Sequence, residues 1–325
     1  MRAAYYENIG PAAEVLRVGD VETPTPMAGE VRVRLKASGI NPSDVKSRSG
    51  VIRRIPYPRV IPHSDGAGEI DMVGEGVSPA RIGERVWTWN AQWKRPNGTA
   101  AEYVVLPEIQ AVRLPANASF EAGASLGIPA LTAWEAIDFV AAPEGKFFLI
   151  HAGAGAVGHY AIQFAKRGKG KVIATVSSAV KGKIAQTAGA DFIVDYKAEN
   201  VAERVAAITG NSGVDAVIDV NITANAPLLP AVLKPGGDVI IYGTDAEARI
   251  PSTFCLVNDI RLQFLLVYQM KLPQRLRAIA AVAEMFEQNQ LISNVALTFP
   301  LDDIVSAHEA VEQGKVAGKV VLKIS

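Results

Sequence analysis

The sequence predicts an α/β protein of two domains, a doubly wound parallel sheet joined to an antiparallel, barrel-like β domain. Three observations predict it. Apolar and polar residues alternate early in the chain, strands alternate with helices through its middle, and a glycine-rich turn joins the first of those middle strands to a helix. The early alternation sets Val31, Val33, Leu35 and Ala37 against Arg32, Arg34, Lys36 and Ser38, the period of a half-buried strand. Gly66, Gly68, Gly74, Gly76 and Gly83 then punctuate short apolar stretches, which suits tight turns.

The middle of the chain changes character. Lys146–His151 reads as a short apolar strand, followed by a Gly-rich turn and the helix-like run Tyr160–Arg167. Strands are expected at Lys171–Val176, Phe192–Asp195, Ala216–Val220, Asp238–Tyr242 and Ile260–Tyr268, with helices at Val180–Ala188 and Val201–Ile208 between them. This order implies right-handed crossovers and a sheet covered on both faces. Two tail helices follow, Pro273–Gln288 and Asp302–Gln313, then a closing strand, Lys319–Ile324. No helix follows that strand, so it is expected to rejoin the first domain. The expected bounds are 1–120 with 269–325 for the β domain and 121–268 for the parallel-sheet domain.

Composition narrows the function. Apolar residues make up 49% of the 325 and charged residues 20%, with Lys plus Arg equal to Asp plus Glu at 33 each. A net charge of zero with no dense basic run argues against nucleic-acid and anionic-membrane partners. One cysteine, Cys255, makes neither an intrachain disulfide nor a cysteine-rich zinc site. The start carries no apolar stretch of signal-peptide length, and no run approaches a membrane span, so a cytoplasmic protein is expected.

The strongest chemical signal is Gly153-Ala154-Gly155-Ala156-Val157-Gly158, directly after a strand and before a helix. In a dinucleotide fingerprint the first glycine permits the tight turn, the second lets backbone approach a pyrophosphate, and the third lets helix pack on strand. The helix start then offers free N–H groups and a positive dipole end to phosphates. The next strand bears on the nucleotide. About 20 residues on, an NAD site usually carries an acid for the ribose hydroxyls. Here the strand ends Thr175-Val176-Ser177-Ser178, followed by Lys181. No carboxylate repels a 2′-phosphate, two hydroxyls donate hydrogen bonds and a lysine supplies charge. NADPH is therefore the expected cofactor.

At this point the chain resembles a known family. The glycine-rich loop, Gly66-Ala67-Gly68 with Gly74, Gly83-Glu84-Arg85-Val86 and Gly318-Lys319-Val320-Val321-Leu322 are similar to medium-chain dehydrogenases/reductases. Gly39-Ile40-Asn41-Pro42-Ser43-Asp44, Arg48-Ser49-Gly50, Gly127-Ile128-Pro129-Ala130-Leu131-Thr132-Ala133 and His308-Glu309-Ala310 resemble the quinone oxidoreductase (zeta-crystallin-like) branch. The resemblance spans essentially the whole chain. It implies a GroES-like β-barrel domain built from both chain ends and an inserted Rossmann domain. It also implies that the family's zinc is lost. The zinc enzymes place Cys at Asn41, His-Glu at Ser64-Asp65 and a later Cys at Ile128, and this set cannot form the usual N/S shell.

The resemblance further implies pyrophosphate contacts from Ala154, Gly155, Ala156 and Val157. Ser177, Lys181 and Tyr196 would lie near the adenosine phosphate. Asn225 and Ile241-Tyr242-Gly243-Thr244 would follow along the cofactor, with Lys319 near the phosphates. Hydride arriving on a quinone or enone leaves an oxyanion, which a side-chain N–H or a cation stabilises. Asn41 is the first candidate and Lys46 the second, with Asp44 beside them. Asn41 and Asp44 also suit a plain turn. Lys46 and Ile52 stand where quinone reductases of this branch often carry tyrosines. Trp87, Trp89 and Trp93 fit a wall for a planar ring or ordinary packing equally well.

The reading is thus zinc-independent hydride transfer from NADPH to a quinone. The rivals are an enone or alkenal reductase and a non-catalytic NADPH-binding protein. A homodimer is expected through the apolar edge 260–268.

Overall fold

A computed structural model describes residues 1–51 and 56–324. The chain divides into two compact units, Met1–Pro129 with Ile279–Ser325, and Ala130–Ala278. The divisions fall after Pro129 and Ala278, later than the expected 120 and 268. The second of them lies inside one helix, Leu272–Glu287.

Among the described residues the first unit contains a seven-stranded sheet and a two-stranded hairpin. The hairpin joins β1 (Arg2–Tyr5) and β2 (Arg17–Asp20). The sheet holds β3 (Glu30–Ile40), β4 (Asp65–Val73), β5 (Arg85–Thr88), β6 (Tyr103–Pro107) and β7 (Ala111–Arg113). The long strand β3 is its axis, paired antiparallel with both β4 and β6. Val31, Val33, Leu35 and Ala37 are all fully buried, so the alternation seen in sequence is the inward face of β3. From Ser38 onward alternation stops and both faces are buried. Gly66 and Gly68 do not make turns. They lie within β4, where a Cβ on Gly68 would sit 2.1 Å from the Arg34 carbonyl oxygen, so close approach of strands demands the glycine. Gly76 and Gly83 do sit in the left-handed region, as turns require.

The second unit is a six-stranded, wholly parallel sheet. It contains β8 (Phe147–Ile150), β9 (Lys171–Val176), β10 (Phe192–Asp195), β11 (Val214–Asp219), β12 (Leu233–Ile241) and β13 (Arg261–Phe264), in the order β10-β9-β8-β11-β12-β13. The order reverses between β8 and β11, the switch point at which such sheets bind ligands outside their carboxyl ends. Leu149, Ile173, Val194, Val217 and Val239 put one residue from each of five strands into one core.

The helix after β8 runs Ala156–Arg167, four residues earlier than the expected Tyr160 start, with Gly155 as its N-cap. The expected strand Ile260–Tyr268 is shorter. β13 stops at Phe264, and Val267–Gln269 is a 3₁₀ turn. Its partner β12 ends at Ile241, so after the Leu265 N–H bond to the Ile241 carbonyl no ladder remains to extend.

The chain then returns to the first unit. β14 (Val295–Pro300) pairs parallel with β15 (Lys319–Lys323), and β15 pairs antiparallel with β3, Val321 opposite Gly39. This register brings Lys319 beside the carboxyl end of β3. Among the described residues no helix is long and apolar enough to cross a membrane.

Candidate functional site

In the first unit, chemistry gathers where β3, β4 and β15 meet. Asn41 follows β3 and caps the helix Pro42–Arg48. The Asp44 carboxylate accepts the Asn41 backbone N–H at 2.8 Å, the reciprocal contact of a capping box. Burial pushes the Asp44 carboxyl up to about 7, against the pull of that N–H. The Asn41 side chain is 3% exposed. Its Nδ2 donates to Asp65 Oδ2 at 2.9 Å, and its Oδ1 accepts from Lys319 Nζ at 2.6 Å. Lys319 also donates to Asp65 Oδ2 at 2.8 Å. The other Asp65 oxygen accepts the Ile128 N–H at 2.8 Å. Burial raises the Asp65 carboxyl, and Lys319 works against that rise. Removing one member of such a buried ion pair typically costs about 3–5 kcal/mol, because the other charge is left uncompensated.

A second polar chain adjoins the first. Thr99 Oγ1 donates to the Asp65 carbonyl at 2.6 Å. Ser38 Oγ lies 2.8 Å from Thr99 Oγ1 and 2.9 Å from His63 Nδ1, and His63 Nε2 lies 2.9 Å from His308 Nε2. All of these side chains are buried. Burial lowers both imidazoles. For His63 the neighbouring His308 and Lys319 add to it; His308, brought down to about 3, also feels Arg48.

Three placements bear on the sequence reading. Lys319, expected along the cofactor phosphates, is 2% exposed and its ammonium is bound to Asn41 and Asp65. Lys46 is on the same helix as Asp44, half-buried, and takes no part in the Asn41–Asp65–Lys319 bonds. Trp87 and Trp89 are core residues at 1% and 8% exposure, while Trp93 is half-buried with the Lys94 ammonium 5.8 Å from its ring. Ile52 lies outside the described residues. Asp65 entered the sequence reading only as a lost zinc neighbour. A lone acid opening a strand of small residues was the available signal.

A zinc ion does not fit this arrangement. Asn41, Ser64 and Ile128 offer neither thiolate nor imidazole, His63 is engaged with Ser38 and His308, and an ammonium already bridges Asn41 and Asp65. Among the described residues no three His, Cys, Asp or Glu side chains come together as metal ligands.

In the second unit, the turn after β8 has the shape a dinucleotide needs. Gly153 packs on β9, where a Cβ would lie 2.7 Å from that of Ala174. A Cβ on Gly158 would lie 2.3 Å from the Ala152 carbonyl oxygen, so helix and turn touch there. A Cβ on Gly155 meets only Ala152, its carbonyl oxygen at 3.1 Å and its Cβ at 3.9 Å, so the other side of Gly155 is open. Ala154 is buried, whereas Ala156 and Val157 are half-exposed in the first helical turn, whose N–H groups have no intrahelical partner.

At the end of β9, Ser177 is half-exposed, and Ser178 caps the helix Ala179–Thr187 by accepting the Lys181 N–H at 3.4 Å. Lys181 is half-exposed there, and Tyr196 after β10 is 53% exposed. Ile241 is buried as the last residue of β12. Tyr242 and Gly243 are half-buried beyond it, and the exposed Thr244 has its hydroxyl 3.3 Å from that of Thr223.

Two residues at the switch point escaped the sequence reading. Asp219 ends β11 fully buried, and its Oδ1 accepts the Asn221 N–H at 2.7 Å and Asn225 Nδ2 at 2.9 Å. His151 follows β8, with Nδ1 3.1 Å from Thr175 Oγ1. Burial lowers this imidazole while Asp219 pulls it back up, and burial followed by Asp219 raises the Tyr242 phenol. A polar residue ending an apolar strand was the signal for both. Asn225 thus reaches the site through Asp219.

Comparisons with known proteins bear on the family and fold of the chain. The alcohol dehydrogenase GroES-like domain profile matches residues 27–116, and the zinc-binding dehydrogenase profile matches residues 156–284. The chain is similar to the quinone oxidoreductase of Lama guanicoe, 29% identical over 325 residues that cover 99% of this chain and 97% of that one. It is similar in structure to an NAD-dependent alcohol dehydrogenase, with 31% identity, a TM-score of 0.91 and full coverage of both chains. A mycobacterial protein solved in complex with NADPH is similar too, with 28% identity, a TM-score of 0.87 and full coverage of both chains. With both halves matched and the fold shared end to end, the chain belongs to the medium-chain dehydrogenase/reductase family of nucleotide-dependent oxidoreductases.

Proposed function

We propose that this protein is a zinc-independent oxidoreductase that transfers hydride from NADPH to a quinone or a similarly electron-poor acceptor. The observation that carries the reading is the donor set around Asn41, Ser64, Asp65 and Ile128, which is unsuited to zinc and already holds the ammonium of Lys319. With no Lewis acid to polarise an alcohol or simple carbonyl, the acceptor must take hydride readily by itself. The names of the quinone oxidoreductase relatives support the same class.

When bound, the reduced nicotinamide supplies the hydride. The chain's residues do the rest. Gly155 and the first turn of the helix Ala156–Arg167 hold the diphosphate. Ser177, Ser178 and Lys181 receive the 2′-phosphate, with Tyr196 alongside. Asp219 anchors Asn225 beside the stretch 241–244. The Asn41 amide, which Asp65 and Lys319 grip on its two sides, donates a hydrogen bond where negative charge appears on the acceptor. We propose also that the protein is a homodimer joined along β13, an edge strand.

Fluorescence titrations with NADPH and NADH, followed by a panel of quinones and enones, test the reading. Lys181→Ala is expected to weaken NADPH about tenfold, the size of a charge-assisted bond, and NADH about twofold at most. Equal losses would remove the phosphate role. Faster turnover of enones than quinones would move the acceptor class, and tight binding without turnover would make the protein a nucleotide binder alone. The two similar structures, one named NAD-dependent and one holding NADPH, make the first titration decisive.

A further inference from the structure

We propose that Lys319 is a positioning residue that fixes which end of the Asn41 amide faces outward. The inference rests on the hydride-transfer reading and gives it the orientation of its hydrogen-bond donor. A primary amide has two ends of nearly equal shape, one accepting and one donating, and only the donor end stabilises an oxyanion. The surroundings decide the matter here. Lys319 Nζ, which only donates, is 2.6 Å from Oδ1, and Asp65 Oδ2, a carboxylate oxygen, is 2.9 Å from Nδ2. Rotating the amide by half a turn would set donor on donor and acceptor on acceptor. Nδ2 gives one hydrogen to Asp65 Oδ2 and has a second, which this proposal assigns to the acceptor oxygen.

The rest of the cluster holds the lysine to this task. Its ammonium is bound to Asp65 Oδ2 at 2.8 Å and its side chain is sealed from solvent. Two glycines make the space. A Cβ on Gly39 would lie 2.7 Å from Lys319 Cε and 1.9 Å from the Ala124 carbonyl oxygen. A Cβ on Gly127 would lie 2.3 Å from Asp65 Oδ1, the oxygen that accepts the Ile128 N–H. Thr99 pins the Asp65 backbone from the far side. The lysine is thus built into a niche shaped for a cation, and it acts through Asn41.

The test compares Lys319→Met, Lys319→Ala and the double variant Lys319→Met/Asp65→Asn with wild type. NADPH affinity is read by fluorescence, kcat and KM by turnover of a quinone, and stability by thermal midpoint. Lys319→Met is expected to lower kcat about 100-fold, as loss of an oriented oxyanion donor does, with NADPH affinity unchanged within about twofold. Wild-type kcat, or weakened NADPH with kcat intact, would overturn the proposal. If the single variant fails to fold, the double variant, which leaves no unpaired charge, is expected to fold with the same loss of kcat. Wild-type kcat in that variant would likewise overturn it.

In Lys319→Ala, n-propylammonium replaces the lost atoms, and it is expected to raise both kcat and the thermal midpoint where n-propanol does neither. This arm separates the two failures. If wild type turns over no acceptor, the functional reading fails, yet the ammonium still raises the midpoint of Lys319→Ala over the alcohol. Equal effects of ammonium and alcohol would refute the niche, whatever the acceptor.

Discussion

Single protons can be followed through the buried chain beside Asp65. Thr99 has one hydroxyl hydrogen and gives it to the Asp65 carbonyl. It must therefore accept from Ser38, which in turn must accept from His63 Nδ1. In a neutral His63 this makes Nε2 an acceptor and His308 Nε2 the donor. The last atom, His308 Nδ1, is then a bare acceptor, and it is buried with no hydrogen-bond partner among the described residues. With both imidazoles neutral, as their burial favours, each bond of the chain has one donor and one acceptor. His63 also holds a left-handed backbone at φ 78°, uncommon outside glycine, which the bonds on its two ring nitrogens fix in place.

A pH dependence follows. The folded value of His308, about 3, lies below its ordinary 6.5, so the unfolded chain takes the proton first. The stabilisation is complete above about 6.5 and is lost as the pH falls toward 3. Asp44, with its folded value raised to about 7, slopes the opposite way between about 4 and 7, so the clean comparison is a variant against wild type. At pH 7, His308→Gln is expected to be less stable by about 1–3 kcal/mol. That gap should narrow on acidification, each unit of separation between folded and unfolded values being worth about 1.4 kcal/mol. Urea unfolding at pH 7 and pH 4 measures it, and a gap that stays constant would refute the assignment.

Among the elements, the turn and helix after β8 separate two uses of glycine. Gly158 is required by the fold, because its neighbour at 2.3 Å is backbone and cannot move aside. Gly155 belongs, in the proposed function, to the diphosphate, because a Cβ there meets only Ala152. Gly158→Ala is therefore expected to cost about 1–3 kcal/mol, as overpacking does. Gly155→Ala should cost less than that and yet weaken dinucleotide binding about tenfold or more. Thermal melts paired with nucleotide titrations distinguish them, and equal destabilisation would contradict the division of roles. The three-glycine spacing was plain in the sequence, but its early helix start was not. Alanine and glycine at 154–158 carry no amphipathic pattern, and Gly155 caps without any side chain.

At the scale of the whole molecule, β13 ends the parallel sheet. Among the described residues β13 pairs only with β12, and Phe264 and Leu266 beside it are 55% and 49% exposed. Leu256 and Val257, on the preceding helix Ser252–Val257, are 83% and 76% exposed. Apolar residues gathered on a free edge suit pairing with a second copy. Light scattering after gel filtration is expected to give twice the chain mass for wild type and a monomer for Phe264→Glu with Leu266→Glu. A monomeric wild type would sink the dimer proposal.

Local patterns along the chain suffice for the α/β fold class, the parallel sheet, the position of the glycine-rich turn and the lack of a thiolate or imidazole at 41, 64 and 128. Each of these depends on local period, local spacing or the identity of a single residue, and those are written along the chain. Tertiary structure alone decided that Lys319 turns inward to Asp65 and Asn41, which lie 254 and 278 residues away in sequence. It also decided that His63 meets His308 and that Asp219 anchors Asn225. A lysine read singly looks like a surface cation, because its charge is at ease in water. Only the antiparallel pairing of β15 with β3, and the space left by Gly39 and Gly127, make burial beside a carboxylate favourable.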